Sequence, residues 1–172
     1  MRLLLASMLL VAAGCAAVPE PSPTTVTLVR HAETEDSGTR DPALSARGRA
    51  RAARLGQRLA PHCPDAVLAT PYRRTQETAR LAAAACSDRP AEVTVVPIGE
   101  GGVAGYVADV AARVRALPVG SRVLVVGHSN TTPQAVNALA GTALADIDHG
   151  TYGRLFTVTV SEGNGALRES AY

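Results

Sequence analysis

The sequence predicts an α/β domain, a three-layer αβα sandwich around a mostly parallel central sheet. Three observations predict it. From Thr25 onward, short β-branched runs alternate with longer Ala/Arg/Leu stretches, so strand and helix take turns along the chain. Helix start and stop signals fall between the runs, with Ser45 placed to cap one helix and Pro61 to stop it. The run Leu124-Val125-Val126, between Ser121 and Gly127, contains no polar residue and reads as a strand buried on both faces. At 172 residues and 47% apolar content, the chain has room for one domain built on one core.

The leader precedes this domain. Arg2 gives a positive start, residues 3–13 form an apolar run broken by one Ser, and small residues lead to Cys15, which together read as an export signal. The run, at about 11 residues, is too short to cross a bilayer, which takes about 20 in a helix. The ending Val11-Ala12-Ala13-Gly14-Cys15 resembles the lipobox of bacterial lipoproteins, with Ala12 where Leu is usual. That resemblance implies a signal peptide over 1–15, with Cys15 lipidated and left as the new N-terminus. A plain secretory signal cleaved near Ala17 is the other reading, and both place the domain outside the cytoplasm. Residues 16–24, with Pro19, Pro21 and Pro23, read as an extended tether, and 25–172 as the folded domain.

Within the domain the first strand is expected over 26–29, followed by a helix over 46–60 behind Ser45. A second strand over 66–69 leads into a helix over 71–85, with Pro71 in its first turn. A strand over 93–96, a helix over 103–117, the buried strand ending at Val126 and a helix over 131–140 follow. Two strand-like runs, 155–160 and 166–170, close the chain. Beyond Cys15 only Cys63 and Cys86 remain. An even pair in an exported protein invites a disulfide, two buried free thiols being the alternative.

Open sheets of this kind place chemistry at the carboxyl ends of their strands. Arg30-His31 follows the first strand, residues 70–74 the second, and His128 the buried strand, so three distant segments converge on one edge. Cys63 and Cys86 lie at the opposite edge. The formal charge of +2, a single Phe, no Trp and four Tyr exclude a nucleic-acid surface. All 17 basic residues are Arg, whose planar fork matches phosphate oxygens.

The residues at that edge carry a resemblance. Val29-Arg30-His31-Ala32-Glu33-Thr34 resembles the Arg-His-Gly segment of the histidine phosphatase (phosphoglycerate mutase-like) superfamily, with Ala at the third position. Leu44-Ser45-Ala46-Arg47-Gly48 is similar to its L-S/T-x-x-G stretch, and the run from Ala69 to Ala79 resembles its S-S-P-x-x-R-a-x-x-T-A stretch. By that register Arg74 is the catalytic arginine, and Arg73 a solvated neighbour. Val125 to Thr131 resembles the segment bearing the second histidine.

The resemblance implies a catalytic set of Arg30, His31, Arg74 and His128, and each has a physical reason. A phosphate monoester carries nearly two negative charges, so a nucleophile reaches phosphorus only if cations hold the nonbridging oxygens. Arg30 and Arg74 would supply that field, with His128 as a partly charged clamp, and Ser129 (backbone) and Thr34 as further phosphate contacts. His31 would attack through one ring nitrogen while the other donates to a backbone carbonyl. The two guanidinium groups would help to keep it neutral. Water would then hydrolyse the phosphohistidine, with no metal and no cofactor.

For the general acid, Ser129 stands where some relatives carry an Asp after the second histidine. Glu100, in the turn Gly99-Glu100-Gly101-Gly102, is the best-placed candidate, with Asp109 a poorer one and a solvated loop carboxylate the bland reading. His62 and His149 match no motif. The expected function is a phosphatase acting on a small phosphorylated substrate, touching membrane only through the lipid anchor. A phosphohistidine phosphatase, or a non-catalytic lipoprotein using the fold as a binding module, are the alternatives.

Overall fold

A computed structural model of the chain describes residues 22–88, 91–160 and 165–172. The leader, Cys15 and most of the tether lie outside them. Six strands form one sheet in the order β3-β2-β4-β1-β5-β6. They are β1 (Thr24–Arg30), β2 (Ala66–Ala69), β3 (Val93–Val95), β4 (Arg122–Gly127), β5 (Arg154–Val160) and β6 (Ala166–Ala171). β1, β2, β3 and β4 pair in parallel, while β5 runs antiparallel to β1 and β6 antiparallel to β5. The helices are α1 (Ala46–Leu59), α2 (Arg73–Ala83), α3 (Gly102–Ala116) and α4 (Thr131–Ala140). Among the described residues no helix is long and apolar enough to cross a membrane.

The period of two in the strands sorts side chains to two cores. Val123 and Val125 of β4 join Val26 and Leu28 of β1 against Tyr106, Val110 and Val114 of α3 and Ala135 and Val136 of α4. Leu124 and Val126, with Val29 and Val67, pack against Leu55 of α1 and Ala79, Ala82 and Ala83 of α2. The result is the αβα sandwich expected from the alternation. It explains why β4 carries no polar side chain between Val123 and Val126, since both of its faces are covered.

Two boundaries differ from expectation. Pro61 does not end the helix cleanly, because 46–59 continues into a 3-10 turn over Ala60–His62. Nor does Pro71 enter α2. Tyr72 stays extended (φ −71°, ψ 141°), and the helix starts at Arg73, whose backbone N–H donates to both carboxylate oxygens of Asp41 at 2.9 Å. A carboxylate from a distant loop thus caps a helix that lacks its own N-cap side chain. Ser45 does cap α1, accepting from the Gly48 N–H at 3.1 Å. Cys63, after the 3-10 turn, and Cys86, after α2, form a disulfide with a Cα–Cα distance of 5.8 Å.

Because β1, β2 and β4 are parallel neighbours, their carboxyl ends share one edge. The His31 N–H continues the ladder by donating to Gly127 O at 2.9 Å, which sets the first motif segment against the last.

Candidate active site

At that edge a cavity of about 550 Å³ is lined by Arg30, His31, Arg74, His128 and Ser129. Four side chains from three segments therefore face one space. The ring centroids of His31 and His128 are 5.4 Å apart, with the rings inclined at 66°.

His31 follows β1 and is buried. Its Nδ1 lies 2.8 Å from the backbone oxygen of Ala32, an acceptor only, so Nδ1 carries the proton and Nε2 the lone pair. The Ala32 backbone is itself held, its N–H donating to Thr78 Oγ1 at 3.1 Å while that hydroxyl donates to Arg74 O at 2.8 Å. The Ala32 methyl, where the motif has Gly, is fully buried with Leu44 and Ala52. Burial is the main force lowering the imidazole to about 3, followed by the charges of His128, Arg30 and Arg74 against the opposing bond to Ala32. The arginines thus act in the expected direction, but desolvation does most of it.

His128 is likewise lowered, to about 4, by burial first and then by Arg74 and Arg30. At that value it is neutral at pH 7, not partly charged. Its Nε2 lies 2.8 Å from Thr70 Oγ1, which is 2.8 Å from Thr75 Oγ1. The Thr75 hydroxyl has carbonyl acceptors in Thr70 O (3.0 Å) and Tyr72 O (2.7 Å), so its own proton is taken. It accepts from Thr70, and Thr70 in turn accepts from His128 Nε2–H. Nδ1 is then the nitrogen left to gain a proton when a phosphate dianion arrives.

Arg30 has two duties. Its Nη1 donates to the carbonyls of Asp148 (3.1 Å), His149 (2.8 Å) and Thr151 (2.9 Å), and its guanidinium sits 4.2 Å from the Tyr152 ring centroid. Among the described residues its Nε is buried without a partner, a donor left over for an anion. Arg74 stacks on Tyr72 at 4.4 Å and pairs with Asp41 at 3.3 Å. Tyr72 in turn meets the His128 ring edge-on at 5.0 Å. Arg73 is exposed, as its place beside Arg74 on the helix predicts.

Two expected residues are elsewhere. Glu100 is exposed in the turn closed by Gly102 N–H to Gly99 O (2.9 Å), and while Ile98 and Val103 on either side line the cavity, Glu100 does not. Thr34 is also off the wall, bridging to Leu44 in an isolated antiparallel pair just beyond Glu33, which Arg51 grips with two bonds of 2.8 and 2.6 Å. Asp109 pairs with Arg113 along α3. Sequence reasoning missed Tyr72, Asp146 and His149, all on the cavity wall. Among the described residues no three His, Cys, Asp or Glu side chains are grouped to hold a metal ion.

Solved structures share this architecture. A candidate alpha-ribazole-5′-P phosphatase from Escherichia coli superposes with a TM-score of 0.69 at 21% identity, covering 87% of this chain and 97% of its own. The protein histidine phosphatase SixA, solved with tungstate, gives 0.69 at 22% identity over 86% of this chain and 96% of its own. The fold is that of the histidine phosphatases. Phosphoserine phosphatase of Entamoeba histolytica, in complex with 3-phosphoglyceric acid, shares it at a TM-score of 0.59 and 16% identity, over 87% and 98% of the two chains. In sequence, residues 26–97 match the model of the histidine phosphatase superfamily (branch 1), a stretch holding Arg30, His31 and Arg74. No protein of curated function matches the chain. The resemblance read from the motifs to the histidine phosphatases therefore stands in both sequence and fold.

Proposed function

We propose that the protein is a metal-independent phosphatase that hydrolyses phosphate monoesters through a phosphohistidine on His31. The observation that carries this is the neutral His31, its Nδ1–H fixed on Ala32 O, sharing one cavity with His128 and two guanidinium groups. A binding module has no use for an imidazole kept unprotonated, whereas a nucleophile requires it. The Nε2 lone pair attacks phosphorus, the bond to the leaving oxygen breaks, and the three nonbridging oxygens are held by Arg30, Arg74 and a His128 protonated by their arrival. Water then displaces Nε2 and releases inorganic phosphate.

In this reading residues 1–15 are a signal peptide, Cys15 is the lipid-bearing N-terminus, 16–24 a tether and 25–172 the catalytic domain, held outside the cytoplasm and touching membrane only through its anchor. The leader pattern supports it, and the Cys63–Cys86 disulfide suits an oxidising compartment. The substrate is a small phosphorylated molecule.

Phosphate release from p-nitrophenyl phosphate by the full chain in EDTA tests the chemistry. Activity should persist in the chelator and fall at least a thousandfold in His31→Ala. Activity that needs a divalent ion, or that survives in His31→Ala, sinks the reading. Inactivity of the parent favours the binding module.

A further inference from the structure

A phosphohistidine mechanism leaves one demand unmet. An aliphatic alkoxide is too basic to depart from phosphorus without a proton: Arg30 and Arg74 keep theirs, the His31 Nδ1–H is committed to Ala32 O, the Thr70 hydroxyl to Thr75, and the proton that His128 gains to a nonbridging oxygen. Among the described residues that line the cavity, Asp146 is the only acid. Its place is fixed by the three residues that follow it. The next residue, Ile147, is 3% exposed and donates its backbone N–H to Ser129 O at 2.8 Å, one residue beyond His128. The two residues after that present their carbonyls to Arg30 Nη1, one residue before His31. The loop bearing Asp146 is therefore tied to the nucleophile segment and to the clamp segment alike. Among the described residues the Asp146 carboxylate itself has no hydrogen-bond or ion-pair partner, which leaves it free for substrate.

We infer that Asp146 is the general acid of the first step and the general base of the second, and that the substrates are phosphate monoesters of aliphatic alcohols. The inference rests on His31 being the nucleophile. In the acid form, the Asp146 O–H donates its proton to the bridging oxygen as the P–O bond breaks and the Nε2–P bond forms, so the alcohol leaves neutral. The carboxylate that remains takes a proton from the water attacking phosphorus. The Nε2–P bond breaks with its electron pair returning to Nε2, and both groups are restored. A proton donor in the cavity is superfluous for a phosphohistidine or a nitrophenyl ester, and it is this that selects the alkyl esters.

The test compares Asp146→Asn with the parent full chain on glycerol 2-phosphate and on p-nitrophenyl phosphate. The ratio kcat/KM reports only the steps through release of the alcohol. It should fall about 100-fold or more on glycerol 2-phosphate and stay within about threefold on the nitrophenyl ester, whose leaving group needs no proton. That second value also shows the variant to be folded. Equal losses on the two esters, a loss under about fivefold on the alkyl ester, or the same leaving-group effect in Glu100→Gln or His149→Gln would overturn the assignment. A parent that cleaves the nitrophenyl ester but not glycerol 2-phosphate overturns it while leaving His31 as nucleophile. A parent inert on both removes the phosphatase reading and this inference together.

Discussion

His31 and His128 are two imidazoles held neutral by where they sit. Their values of about 3 and about 4, against 6.5 for a free imidazole, mean that the unfolded chain binds protons below pH 6.5 which the folded chain refuses. Stability therefore falls as the pH drops from 6.5 towards 3, and His31 stays neutral through most of that fall. Titration of the imidazole C–H signals by NMR should show both midpoints below pH 5. The causes differ between the rings, because Arg74 is the largest charge acting on His128 but stands behind His128 and Arg30 in acting on His31. Arg74→Gln should raise the His128 midpoint more than that of His31. A midpoint near 6.5 for either ring in the parent, or an equal rise in both, would contradict this account of the site. Orthovanadate, a phosphate mimic, should in turn raise His128 as its Nδ1 takes the proton that a bound oxyanion favours.

Between elements, α1 lies directly on the loop that leaves His31. Gly48, in the first turn of α1, is where they touch, and a Cβ there would run into the Glu33 carbonyl. Helix propensity alone makes Gly→Ala stabilising by about 1 kcal/mol. The backbone contact opposes it, since forcing a packed backbone apart costs about 1–3 kcal/mol, which exceeds the propensity gain over nearly all of that range. Gly48→Ala should lower the thermal midpoint and reduce kcat on p-nitrophenyl phosphate, because the displaced loop is the one that fixes His31 through Ala32. A midpoint that rises would show that the loop yields at no expense. This contact gives a physical reason for the glycine that the L-S-x-x-G pattern only marked. The motifs made Arg30, His31, Arg74 and His128 legible because each follows an apolar run that announces its own strand. Asp146 and His149 were not legible, since residues 141–153 have no periodicity and are positioned by Arg30 bonds spanning 118 to 121 residues of sequence. Glu100 misled because its position after β3 was right, yet the tight turn at Gly99 to Gly102 keeps it off the wall.

Across the whole molecule the sheet separates chemistry from reinforcement. The cavity occupies the carboxyl ends of β1, β2 and β4, while Cys63, just before β2, and Cys86, just after α2, close a disulfide at the far edge over a separation of 23 residues. Closing a loop of that length in the unfolded chain removes entropy equivalent to about 3 kcal/mol. In a domain of this size that corresponds to about 10 °C in Tm. Replacing both residues (Cys63→Ala with Cys86→Ala) removes the bridge without leaving an odd thiol, and Ala fits the nearly buried Cys86 position, 3% exposed, without an unpaired polar atom. The double variant should melt about 10 °C lower in a thermal scan, while kcat/KM on p-nitrophenyl phosphate at 25 °C stays within about twofold of the parent. The two readouts separate the alternatives. A fall in activity at full stability would mean that α2 transmits the bridge to Arg74 at its other end. An unchanged Tm would mean that packing of Leu55 on Ala79, Ala82 and Ala83 already holds α1 and α2 together, and that the bridge adds nothing to the folded chain's advantage.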